Sequence, residues 1–209
     1  GSLSRPYVAV VASLMAEPEC GEPTVSMEEA LVGTKGEFLL QEALCLKEPS
    51  EATSILKEMN PRFSKVLGAR REYIDYLHRP ICRELWEFRP ASEARGTLTL
   101  AAVPKKLGPQ MRKILMTCPF NEALRAVDSI LEGGYDYGMH AGAALAQVQV
   151  PGDVLAFASA DQSNAFTHVI VPAWWRPFMA GPKVRAAEVK ELVGDLFAPD
   201  VWLRPLYRR

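Results

Sequence analysis

Gly96-Thr-Leu-Thr-Leu-Ala-Ala-Val-Pro104-Lys-Lys-Leu-Gly-Pro-Gln-Met111-Arg-Lys-Ile-Leu-Met-Thr117 is the stretch on which the fold turns. Its first arm, Gly96 to Val103, is rich in short apolar and β-branched residues and is closed by Pro104, which reads as a strand. Leu107-Gly108-Pro109 is a turn, and Met111 to Thr117 can return as the antiparallel partner. The pattern therefore predicts a hairpin whose arms hold Lys105, Lys106, Arg112 and Lys113, with two basic pairs facing each other near the tip.

Upstream of the hairpin the spacing is helical. Ser50-Glu-Ala-Thr before Ile55 and Leu56 caps a short helix that Pro61 ends, and Phe63, Val66, Leu67, Tyr73, Ile74 and Leu77 predict another over 62–78. A further helical piece over 80–88 places Ile81, Leu85 and Trp86 on one side. Residues 1–50 are acidic, broken by Pro18, Pro23 and Pro49, and hold one helical stretch from Thr34 to Leu46, so they read as a loosely ordered lead-in. Gly1-Ser2 stands where an initiator Met is expected and is left out of the fold reading. Downstream, helices are expected over 120–131 and 140–149, and Pro151-Gly152-Asp153 launches a strand that ends at Asp161.

The 209 residues carry 48% hydrophobic and 23% charged side chains, an ordinary globular composition that is short for two full domains. No run approaches a membrane span and no signal-type leader opens the chain, which reads as soluble and intracellular, with no membrane partner. The four cysteines are widely separated and lack zinc-ligand spacing, so reduced, partly buried thiols are expected. The net charge of -1 conceals an asymmetry: residues 61–125 hold thirteen Lys and Arg against six acids, whereas both flanking segments are net acidic. That middle third is the part suited to meeting an anion, although Arg62, Arg70, Arg71, Arg79 and Arg83 fit the solvated face of a helix equally well.

Beyond the hairpin the chemistry gathers at Val154-Leu-Ala-Phe-Ala-Ser-Ala-Asp161-Gln-Ser-Asn-Ala165-Phe166. A strand that aims one carboxylate from its C-terminal end suits metal-assisted phosphoryl transfer, whereas an acid capping a following helix has the same appearance. The order of features, Val103-Pro104-Lys105-Lys106, Gly108, Arg112, Asn121 and then Asp161-x-x-x-Ala165-Phe166, resembles the fingers and first palm motif of reverse transcriptases. Pro151-Gly152-Asp153, Val171-Pro172-Ala173-Trp174 and Pro182-Lys183-Val184-Arg185 flank these motifs and resemble text of the divergent retroelement polymerases of the dinoflagellate type.

The resemblance implies an α+β fold with a helical N-terminal portion, an antiparallel fingers hairpin and a partial palm-like sheet. Residues 1–50 would be the lead-in, 51–150 the fingers-like helices and hairpin, and 151–209 the start of a truncated palm. It implies Asp161 as catalytic residue and magnesium ligand, and Lys105, Lys106, Arg112 and Phe166 as nucleotide-binding residues, the Phe166 ring excluding a 2′-hydroxyl. Asn121 and Lys113 would position template. The implied partners are an RNA or DNA template-primer and deoxynucleotides.

Two departures stand out. Met116-Thr117-Cys118-Pro119 occupies the place where the family shows an acid and an arginine, and no aspartate doublet follows Asp161 before Arg209, since Asp195 and Asp200 stand alone. Several carboxylates normally share two magnesium ions, so the isolated chain is expected to be inactive. The alternative is a non-catalytic α/β interaction or nucleic-acid-binding domain derived from a decayed retroelement. His168 lacks a nucleophile partner and reads as structural, and Trp174-Trp175 reads as core or interface before base-stacking platform. Gly133-Gly134 has no lysine at phosphate-loop spacing.

Overall fold

The computed structural model describes residues 7–17, 24–106, 108–126 and 168–209. Over these the chain is a mixed α+β structure with six α-helices: α1 Met27–Ala30, α2 Glu42–Cys45, α3 Pro49–Met59, α4 Arg70–Cys82, α5 Cys118–Ala123 and α6 Lys190–Val193. The strands are β1 Val25–Ser26, β2 Trp86–Pro90, β3 Thr99–Pro104, β4 Met111–Met116, β5 Val169–Ile170, β6 Val184–Arg185 and β7 Trp202–Tyr207. They form an antiparallel β3–β4 hairpin, an antiparallel sheet in the order β2–β7–β6, and a short parallel β1–β5 pair.

The hairpin matches its sequence pattern, with Leu100 opposite Leu115 and Ala102 opposite Lys113. Its turn closes where the backbone N–H of Lys105 donates to Gln110 O at 2.9 Å. In this register Arg112 faces Val103 and Lys113 faces Ala102, so the two basic pairs do not confront each other across the strands. The reason is the loop length, which leaves Lys106 in the turn while Arg112 and Lys113 already belong to the ladder.

α3 begins at Pro49, whose fixed φ suits a first helical turn, and buries Ala52 and Leu56. Asn60 follows it and ties its end to the segment that leads into β3: the Asn60 side chain donates to Arg95 O at 2.8 Å and accepts from the Thr97 N–H at 3.0 Å.

α4 starts at Arg70, eight residues later than the helical spacing predicts. Residues 65–67 are instead extended along the free edge of β3, where Leu100 N donates to Lys65 O and Leu67 N to Leu100 O. Gly68 then turns at φ +125, a conformation that L side chains rarely adopt, with Val10 N 3.1 Å from where a Cβ would stand. The helix expected over 80–88 is also different. Glu84, at φ +55, ends the helical run, and Trp86 to Pro90 pair with β7 as a strand.

The stretch expected as a helix from Thr34 to Leu46 divides into a 3-10 turn, Glu37–Leu40, and α2, because Gln41 between them is extended. The loosely ordered lead-in also meets a different picture where it is described. Val8 pairs with Ala102, Val10 N donates to Leu67 O at 2.7 Å, and Val10, Met15, Cys45 and Leu46 are buried in the core. Local composition favoured disorder, but these apolar side chains gain more from burial against α4 and the hairpin than the acids lose.

The core gathers Tyr73, Tyr76 and Leu77 of α4, Trp86 of β2, Leu98 and Leu100, Phe178 and Leu203. Gly96 meets Phe178 so closely that a Cβ would stand 2.5 Å from the Phe178 carbonyl oxygen, with no flexible side chain to yield. Gly96→Ala is expected to destabilise the protein by about 1–3 kcal/mol through forced backbone movement. Chemical denaturation checks this, and an unchanged midpoint contradicts it.

Candidate functional site

The cations of the hairpin divide by environment. Arg112 is exposed near the outer end of a face that sinks inward through Ile114 and Ala101 to the buried Thr99. Lys106 is exposed in the turn. Lys105 is half-buried, and its ammonium donates to Gln110 Oε1 at 2.9 Å, which holds it against its own loop. Asn121 is exposed on α5, where its side-chain oxygen lies 3.4 Å from Thr117 Oγ1.

Lys113 behaves differently. Its ammonium lies 3.0 Å from Glu17 Oε2, and the Glu17 side chain is wholly buried while that of Lys113 is 15% exposed. The Tyr76 hydroxyl donates to the other carboxylate oxygen, so three elements meet at one buried acid. Burial first, and the Glu17 carboxylate second, push the Tyr76 hydroxyl well above its ordinary range. The structure thus commits Lys113 to a protein partner inside the fold, not to the hairpin tip. Glu17 is the residue that the sequence reading missed, because nothing local links it to a lysine 96 positions away.

Asp161 and Phe166 lie outside the described residues, as do the helix expected over 140–149 and the strand expected to end at Asp161. Among the described residues no three His, Cys, Asp or Glu side chains group as a metal site. Cys45, Cys82 and Cys118 are free thiols, and burial raises the pKa of Cys45, whose Sγ faces Phe38 O at 3.2 Å. His168 is half-buried just before β5.

The tryptophan pair serves the core. Phe120 packs against Trp174, Trp175 and Phe178 with ring centroids 5.9, 5.7 and 5.1 Å away, and Trp174 Nε1 donates to Leu39 O at 3.0 Å. A different tryptophan, Trp202 on β7, is 37% exposed. Lys183 Nζ lies 4.6 Å and Arg185 Cζ 5.0 Å from its ring centroid. The sequence signal that could have found it is the alternation of Trp202 and Arg204 with Leu203 and Pro205, beside Lys183-Val184-Arg185.

Arg70 bridges to Glu188 by two bonds, from Nε at 2.7 Å and Nη2 at 2.6 Å, and these bonds are the main cause holding the Glu188 carboxyl below its usual range. Three tyrosines report on the core: burial is the main cause raising the hydroxyls of Tyr73, Tyr76 and Tyr207 above the ordinary phenol range. Because the folded state favours their protonated forms, this stabilisation is intact below about pH 10 and is lost as pH rises beyond it. These three are therefore expected to ionise only with cooperative alkaline unfolding. Tyrosinate absorbance that develops ahead of the loss of circular dichroism, in proportion to all six tyrosines, contradicts this.

No family model matches the chain, and neither a curated protein nor a solved structure does. No described helix is long and apolar enough to cross a membrane.

Proposed function

We propose that the chain is a reverse-transcriptase-like polymerase segment, comprising fingers and the opening of a palm, that binds template-primer and deoxynucleotide. The observation that carries this reading is the antiparallel hairpin with Lys105 and Lys106 at its turn and Arg112 exposed on its return arm, in the order that the resemblance requires. Cations fixed on a strand pair are suited to a triphosphate, whose charge they neutralise without reorganising. On this reading Asp161 is the first magnesium ligand, and Phe166 lies under the sugar. If a downstream palm supplies further carboxylates, the metal held there would activate the primer hydroxyl.

The test is magnesium-dependent primer extension by the chain continued through the sequence that follows it in its gene. Incorporation of deoxynucleotides that is lost on Asp161→Asn is the expected result, and no incorporation overturns the enzyme reading. The second reading, a non-catalytic nucleic-acid-binding domain, is favoured by the withdrawal of Lys113 onto Glu17, which leaves fewer cations at the tip. Its signature is salt-dependent binding without incorporation.

A further inference from the structure

The β2–β7–β6 sheet carries a set of side chains that the hairpin reading does not use. Along β7 the residues Leu203, Pro205 and Tyr207 are buried; on the opposite face Leu206 is buried too, Arg204 is half-buried and donates to Ser64 Oγ and Gly181 O, and Trp202 is exposed. On that face β6 sets Arg185 directly opposite Trp202, and β2 sets Arg89 opposite Arg204. Lys183, one residue before β6, shares the parity of Arg185, and both are exposed.

Two observations distinguish this from an ordinary solvated face. First, an indole with more than a third of its area in water is held within cation–π reach of two separate cations, at 4.6 and 5.0 Å. The ring steadies two long side chains that would otherwise sample many rotamers. Second, the acid nearest Arg185 is engaged by Arg70, and the Glu87 carboxylate on the same face is paired with Arg89. Glu188, three residues after Arg185, accepts from Arg70 and from the Arg185 backbone N–H, and Glu87 lies 3.5 Å from Arg89. Among the described residues neither Lys183 nor Arg185 forms an ion pair, although Arg185 contributes, after Arg70, to lowering the Glu188 carboxyl.

An exposed aromatic surface and fixed cations together ask for an anion that also presents a flat apolar face. An acidic peptide satisfies the cations and leaves the indole wet, and a duplex hides its base faces. We propose that the β6 end of this face binds single-stranded nucleic acid, with a base against the part of the Trp202 ring left in water and backbone phosphates on Lys183 and Arg185. The site is separate from the hairpin and does not depend on the polymerase reading.

Trp202 can report on itself, because the other tryptophans, Trp86, Trp174 and Trp175, are buried or half-buried in the core. The experiment is a fluorescence titration with an oligothymidylate of about 20 nucleotides, without primer or nucleotide, so that its outcome stands apart from primer extension. Binding is expected to quench the exposed tryptophan emission. Trp202→Ala is expected to weaken binding about five- to a hundred-fold. Replacing Lys183 and Arg185 together by alanine should lower the slope of log affinity against log salt by about 1.4.

Should Trp202→Ala fail to fold, Lys183→Glu with Arg185→Glu on the native indole carries the same test, loss of quenching being expected. Unchanged oligonucleotide affinity in either variant overturns the proposal. So does equal quenching by heparin or by phosphatidylserine vesicles, which would make the face a site for charge alone or for a lipid surface.

Discussion

Glu17→Ala is expected to lower the stability of the protein by about 3–5 kcal/mol, a large part of the total for a chain of this size. The substitution leaves the Lys113 ammonium, only 15% exposed, without its counter-charge and takes the acceptor from the Tyr76 hydroxyl. Each loss is costly because water cannot replace the missing partner. Lys113→Met should be similarly damaging, since it strands a carboxylate that has no exposed surface. The pair replaced together by apolar residues of like size should recover the part due to the stranded charge but not that of the Tyr76 hydroxyl, which still lacks its acceptor. Urea denaturation of the two single variants and the double variant checks this. Additive losses would show that the ion pair carries no coupling.

Arg112→Ala is expected to act on the other side of the ledger, leaving stability within about 0.5 kcal/mol and lowering primer extension about 10²- to 10³-fold. Its side chain is exposed on the ladder opposite Val103, so no packing is lost. On the proposed polymerase reading, what is lost is a forked donor for a triphosphate. Arg112→Lys should restore part of the rate, since it keeps the charge and loses the bidentate geometry. The measurement is the single-nucleotide incorporation rate, at saturating template-primer, of the chain continued past Arg209. An unaltered rate in Arg112→Ala removes Arg112 from the nucleotide site. The contrast with its neighbour is informative, because adjacent basic residues on one strand alternate between the two faces of the hairpin.

That alternation also shows what could be seen in the sequence. The hairpin was legible because both kinds of signal agreed: short apolar and β-branched residues set its arms, and Pro104 and Gly108 marked its turn. The start of α4 was not. Phe63, Val66 and Leu67 have helical spacing, yet Phe63 lies in the turn that follows α3 and Val66 and Leu67 serve an extended edge against Leu100, a pairing fixed by tertiary contact and by Gly68. Trp86 and Phe88 have a strand partner that lies more than a hundred residues away on β7, and no local window contains it. At the candidate site the order Lys105, Lys106, Arg112 could be read directly. The burial of Lys113 could not, because Glu17 sits in a segment whose composition suggests disorder.

The strand order β2–β7–β6 sets a limit on how the protein can be made. β2 and β6 both pair with β7 and not with each other, so neither can close its ladder until β7 is present. During synthesis, Trp86, whose ring packs edge-on to Tyr207 at 6.0 Å, must wait for a partner encoded near the far end of the chain. The helices and the hairpin can form from neighbouring residues, but this sheet needs a long closure between β2 and β7, which slows its assembly and leaves strand edges open to other chains until it is complete.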